Sequence, residues 1–199
     1  MFGMAKNTIS LSTMSFCENP LKTYCLLACS FVLAFLFTSS ARTAEAAVAA
    51  APEYRLRLFH THTGERIDIV YRRGDTYDPE ALAELNHYLR DHRTGAVLAY
   101  DPRVFDLLHD LDAKLGRPNG EIDIVCGYRT PWSNEFLRTH GHGVAVHSLH
   151  MEAKAIDIRM PGVETSTLRD AALALHRGGV GYYAKSEFVH VDVGRVRRW

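Results

Sequence analysis

Gly178-Gly-Val-Gly-Tyr-Tyr183-Ala-Lys-Ser-Glu-Phe188-Val-His-Val-Asp-Val-Gly194 holds two short apolar runs, Val180 to Tyr183 and Phe188 to Val193, parted by a turn. Both are of strand length, so the chain closes on a hairpin-linked antiparallel pair. Upstream, Ala155-Ile-Asp-Ile-Arg159 and Ile122-Asp-Ile-Val-Cys-Gly127 read as further strands. The alternating segments Tyr54 to Phe59 and Glu65 to Tyr71, broken at Thr61-His-Thr-Gly64, predict an N-terminal β-hairpin. Asp78-Pro79 and Asp101-Pro102 each offer an N-cap followed by proline, and the apolar spacing after each predicts a helix. Pro131 to about His140 and Thr165 to His176 read as two more helices. Helices fall early and strands late, which predicts an α+β fold with a mainly antiparallel sheet and flanking helices.

The chain has 199 residues, 23 Lys+Arg against 23 Asp+Glu, 47% hydrophobic residues and a mean hydropathy of −0.13. This composition excludes a disordered or collagen-like chain and a polytopic membrane protein. Zero formal charge argues against holding nucleic acid by bulk electrostatics.

Residues 1–46 read as an export signal. Lys6 and Lys22 precede an uncharged run from Cys25 to Phe37, and small residues follow at Thr38-Ser-Ser-Ala41 and Ala44-Glu-Ala46. The run is shorter than the roughly 20 apolar residues that span a bilayer. Cleavage is the simpler expectation; an uncleaved anchor, giving transient membrane association, is the alternative. A linker at 47–53 then leads into a domain at 54–199. Cys126 is the one cysteine of that domain, so no internal disulfide holds it.

All eleven histidines follow residue 59. His150 ends a Gly- and His-rich loop, Asp157 lies in a strand at a parity opposite to Ile156 and Ile158, and His190 lies in the closing strand. Two imidazoles and one carboxylate make a three-ligand set that leaves an open position on Zn²⁺. No His-Glu-x-x-His helix is present, which excludes a zincin.

These motifs resemble the zinc peptidases of the D-alanyl-D-alanine carboxypeptidase and VanX-like dipeptidase superfamily, in particular the YcbK-like branch of murein endopeptidases. The resemblance spans about Leu56 to Trp199 and rests on five motifs in order. They are Thr61-His-Thr-Gly-Glu65, Gly127-Tyr-Arg-Thr-Pro131, His147-Ser-Leu-His150 through Asp157, Gly178 to Tyr183, and Phe188 to Gly194. It implies a hedgehog/DD-peptidase-like fold and zinc ligands His150, Asp157 and His190. It also implies a catalytic Arg129 that steadies the substrate and the developing oxyanion. Glu187, three residues before the last histidine ligand, is the expected general base; Asp192 and His147 are its rivals, and Asp192 also fits a role orienting His190. His147, Ser148 and Tyr128 are the expected substrate contacts. One departure is Ala153, where the family carries Gly; this is expected only to tighten the loop.

Bland readings stand beside these. His60 and His62 read as polar surface in a turn, His92 as helix surface, Cys126 as core, and Trp132, Tyr182 and Tyr183 as core or groove wall. Arg195-Val-Arg-Arg198 is compatible with a contact to anionic wall polymer. Gly141 and Gly143 give the loop before His150 two hinges, as a lid requires. The resulting expectation is an exported zinc metallopeptidase acting on peptidoglycan stem peptides through a water activated on the metal. The alternatives are a non-catalytic zinc-containing wall-binding module and a carboxypeptidase acting on stem-peptide ends.

Overall fold

The computed structural model describes residues 51–141 and 144–199. The expected signal segment 1–46, most of the 47–53 linker, and His142 and Gly143 of the expected lid lie outside the described residues. Eight strands form one sheet: β1 (Glu53–His60), β2 (Arg66–Arg73), β3 (Thr76–Tyr77), β4 (Glu121–Cys126), β5 (Ala155–Arg159), β6 (Gly179–Tyr183), β7 (Phe188–Asp192) and β8 (Arg197–Arg198). Their order is β3-β2-β1-β4-β5-β7-β6-β8. Among the described residues four helices accompany the sheet: α1 (Pro79–Tyr88), α2 (Arg103–Lys114), α3 (Pro131–His140) and α4 (Thr165–Leu175). The class is α+β.

Most neighbouring strands are antiparallel, but β1 pairs with β4, and β6 with β8, in parallel. The sequence gives no local sign of the first pairing, because β2, β3, α1 and α2 intervene between the two strands. Such a crossover is what a parallel pair needs. The helix starts follow their caps. Asp78 accepts from the Glu80 and Ala81 amides at 3.0 and 3.3 Å, and Pro79 fills the first turn.

One face of the sheet carries the core. Leu56 and Leu58 of β1, Ile122 and Ile124 of β4, Ile156 and Ile158 of β5, and Val189 and Val191 of β7 are buried there with Phe105, Leu108 and Leu111 of α2. Each fully buried aliphatic side chain contributes roughly 1.5–3 kcal/mol. Strand alternation then sends the intervening residues Asp157, His190 and Asp192 to the other face, and a register shift between Ile124 and Cys126 brings Cys126 opposite Asp157 there. That face becomes the floor of the cleft.

Ala153 departs from expectation. It takes φ 50°, ψ 41° at the end of the 3-10 turn Leu149–Glu152. A left-handed conformation costs an L-residue roughly 1–2 kcal/mol, so alanine here introduces strain where glycine would have none.

Candidate metal centre

β5 and β7 run antiparallel with Asp157 directly opposite His190, and β4 places Cys126 opposite Asp157 on the other side. His150 reaches the same point from the 3-10 turn, whose start is capped by Ser148: its Oγ accepts from the His150 amide at 3.3 Å. Three donor atoms converge. His150 Nε2 is 3.1 Å from both Asp157 Oδ1 and His190 Nδ1, and the last two are 2.8 Å apart. A tetrahedral zinc with bonds near 2.0–2.1 Å would set such donors about 3.3 Å apart, so a few tenths of an ångström of relaxation accommodates it.

The tautomers also fit. His150 Nδ1 lies 2.8 Å from the Gly127 carbonyl oxygen. A carbonyl only accepts, so Nδ1 carries the proton and the Nε2 lone pair faces the cluster. His190 is held the other way round, with Nε2 donating to Asp192 Oδ2 at 3.2 Å and Nδ1 left free. Asp157 gains in burial cost, but the two imidazoles outweigh it and hold its carboxyl well below the usual carboxylate range. Burial lowers the His150 pKa, which also keeps its nitrogen available as a ligand.

Cys126 was expected to be core, and it sits at the margin of this cluster, its sulfur within 4.8 Å of the His150 and Asp157 donors. Burial pushes its thiol up to about 12, and the sulfur turns to the Gly127 carbonyl at 3.7 Å. The donors of His150, Asp157 and His190 lie within 3.1 Å of one another, so the tight donor set is the three-residue one.

The cluster lies in a cleft of about 340 Å³ lined by Arg129, His147, Ser148 and the three donor residues, among others. Arg129 is buried, with Nη2 3.7 Å from Asp157 Oδ2 and Nη1 3.4 Å from Asn134 Oδ1. Its Nε has no partner among the described residues. His147 is exposed at the cleft.

Two expected residues are elsewhere. Glu187 sits in a left-handed cap, φ 52°, at the entry to β7; it is exposed and lines a separate groove with Asp123 and Arg159. The reason is local: Glu187 lies just outside β7, in the left-handed residue that ends the 3-10 turn Ala184–Ser186, so strand alternation does not carry its side chain to the His190 face. Tyr128 packs against the core while its neighbour Arg129 turns into the cleft, with the two amides bonded to different carbonyls, Leu89 and His150.

Asp192 lies behind His190 and not beside the cleft. Its Oδ1 accepts from the Gly179 and Gly194 amides, both at 2.9 Å, and Oδ2 from Arg197 Nη2 at 2.7 Å. Burial works against its charge, but these bonds and the His190 bond hold the carboxyl far below its ordinary range. Its oxygens are thus fully engaged by donors, one of them His190 Nε2, so Asp192 orients the His190 ring.

The sequence reading missed four cleft residues. Arg197, one of the basic residues expected to meet wall polymer, instead pairs with Asp192. Trp199 folds back so that its ring centroid is 5.2 Å from that of His190, with Nε1 donating to Tyr183 Oη at 3.0 Å. His62 and His92, read as surface, both line the cleft. His60, also read as surface, is fully buried.

Residues 48–199 match the family model described as peptidoglycan L,D-endopeptidase MepK. The chain belongs to this family. It is 41% identical over 144 residues to the Escherichia coli K12 protein named "Peptidoglycan L,D-endopeptidase MepK", covering 72% of this chain and 79% of that one. It is 38% identical over 154 residues to the Haemophilus influenzae protein named "Probable peptidoglycan L,D-endopeptidase MepK", covering 77% and 83%. No solved structure matches the chain. Membership of the MepK family agrees with the resemblance drawn from the motifs.

Proposed function

We propose that the protein is an exported zinc metallopeptidase that hydrolyses peptide cross-links in peptidoglycan, acting as an L,D-endopeptidase in the periplasm. The observation that carries this reading is the convergence of His150 Nε2, Asp157 Oδ1 and His190 Nδ1 with both imidazole tautomers fixed by Gly127 and Asp192. These three residues would hold the zinc. Three protein ligands leave a position open to solvent and substrate, as catalysis requires and a structural zinc does not. This favours the enzyme over the wall-binding module.

Zinc held this way supplies Lewis acidity and an acidified water at neutral pH. The chain's own groups supply the rest. Arg129, buried beside Asp157, offers a fixed guanidinium to the negative charge that develops on the scissile carbonyl oxygen. Among the described residues Asp157 is the one side-chain carboxylate lining the cleft, which leaves proton transfer to an imidazole. Of the residues considered as base, His147 is the one that lines the cleft without already serving the metal site. It takes the proton from the attacking water and returns it to the leaving amine. Ser148 shapes the turn that presents His150. The substrate is a stem peptide, and contact with the membrane is limited to the N-terminal segment.

The test is hydrolysis of cross-linked peptidoglycan by the purified protein with zinc, with and without a chelator, alongside a zinc determination. About one zinc per chain, lost in His150→Ala, with chelator-sensitive release of peptides, supports the proposal. Wall binding without hydrolysis would contradict it.

A further inference from the structure

The cleft has a second edge that the chemistry at His150, Asp157 and His190 does not use. The β1–β2 turn contributes His62, and the turn after α1 contributes His92 and Arg93; all three side chains line the cleft. The imidazoles of His62 and His92 stack, centroids 4.2 Å apart and 12° between planes. Beneath them, buried His60 presents its ring edge to His92 at 6.0 Å, and its Nδ1 accepts from the His62 amide at 3.3 Å. Glu65 accepts twice from Arg90 Nη2, at 3.1 and 3.0 Å, which ties the hairpin turn to the end of α1.

Arg93 is anchored from its backbone. Fully buried Asp91 accepts from the Arg93 amide at 2.9 Å through Oδ1, and from the Thr130 amide and hydroxyl at 2.8 and 2.7 Å through Oδ2. One carboxylate therefore fixes Arg93 relative to the residue that follows Arg129. A solvated surface arginine needs no such link. Arg93 also differs from the other arginines of the cleft. Arg129 faces Asp157 and Arg197 pairs with Asp192, whereas the exposed Arg93 guanidinium has no acidic partner among the described residues. Burial, with His62 and Arg93 adding to it, lowers the His92 pKa to about 4, so the stacked wall is uncharged at His92 and the fixed positive charge at this edge is that of Arg93.

We infer that Arg93, beside the stacked imidazoles of His62 and His92, forms a carboxylate-binding subsite that takes a free carboxylate of the peptide substrate. The inference deepens the peptidase reading and rests on it for the class of substrate. A planar guanidinium meets a carboxylate through two parallel N–H···O bonds. The flat imidazole pair gives the adjoining aliphatic part of the peptide a wall to lie against. Stem peptides bear two candidate carboxylates near such a bond, the chain-terminal one and the side-chain carboxylate of diaminopimelate.

The test is calorimetric binding of three synthetic stem peptides ending in diaminopimelate: the free acid, the terminal amide and the side-chain amide. Each is titrated into the wild-type protein, Arg93→Ala, Arg93→Lys and the control Arg195→Ala, with circular dichroism and zinc content checked for all. The expected result is a 10- to 100-fold loss of affinity on amidating one carboxylate. Arg93→Ala should abolish that preference, Arg93→Lys should keep part of it, and Arg195→Ala should leave it intact. The amide that weakens binding names the carboxylate. Equal affinity of wild-type protein for acid and amides, or a preference that survives in Arg93→Ala, overturns the subsite. A preference that depends on Arg93 in a protein that cuts no cross-link leaves the subsite standing and removes the peptidase reading instead.

Discussion

Asp157 Oδ1 and His190 Nδ1 lie 2.8 Å apart because β5 and β7 pair antiparallel with these two residues directly opposed. Two of the three donors are thus fixed by strand register, and a one-residue slip of either strand would send its donor to the core face. The third, His150, depends on a turn that its own neighbour Ser148 caps.

Asp192 sets the ring of His190, so Asp192→Asn is expected to lower zinc affinity roughly 10- to 100-fold. An amide oxygen kept on His190 turns the amide nitrogen towards the Gly179 and Gly194 amides, which can only donate. Competition against a chelator of known affinity measures the effect. Unchanged affinity would mean that the Asp192 bond does not orient the ligand.

Glu187→Gln is expected to keep activity within about twofold of wild type, since surface changes away from the site have small effects. His147→Ala is expected to lose roughly 10²- to 10⁴-fold in kcat with zinc still bound. Steady-state rates on a soluble cross-linked peptide, with zinc content measured for each variant, decide between the two positions.

The structure places Glu187 away from the cleft for a physical reason. The spacing Glu187 to His190 suits a base and a ligand on a shared helix or turn, but Glu187 ends a 3-10 turn in left-handed backbone just outside β7, and its side chain lines another groove. That Asp157 and His190 share the face opposite the core was legible because strand parity is local: Asp157 lies between Ile156 and Ile158, His190 between Val189 and Val191. Arg197 and Trp199 were not, because their partners Asp192 and Tyr183 are met only when the last residues pair with β6. His62 and His92 come from segments about thirty residues apart, and nothing local announces their stacking.

The Asp91 carboxyl is held down to about 2: burial works against its charge, but the bonds from the Thr130 amide and hydroxyl and the Arg93 amide outweigh that cost. A depressed folded-state pKa stabilises the protein above the ordinary carboxylate value and loses that contribution as pH falls towards the folded one. The difference from 3.8 corresponds to about 2 kcal/mol. Denaturant unfolding of wild type and Asp91→Asn should therefore differ by about that much at pH 6, and the gap should close between pH 4 and 2. A gap that stays constant over this range would count against the assignment.

Trp199 closes the sheet at β6: its amide donates to Val180 O at 3.3 Å and its carbonyl oxygen accepts from the Tyr182 amide at 3.0 Å. Trp199→Ala keeps these backbone bonds but uncovers His190, and is expected to lower kcat/KM roughly tenfold without loss of fold. Circular dichroism and peptide hydrolysis measured together test this. Full activity in the variant would remove the ring from the working cleft.

The most direct measurement is mass spectrometry of muropeptides after cross-linked peptidoglycan is digested with the wild-type protein and with His150→Ala, each supplied with the same zinc. The predicted result is conversion of dimers to monomers by wild type, through hydrolysis of a bond between an L- and a D-centre, and intact dimers with the variant. Dimers that survive wild-type digestion, or dimers cut equally by His150→Ala, would contradict it.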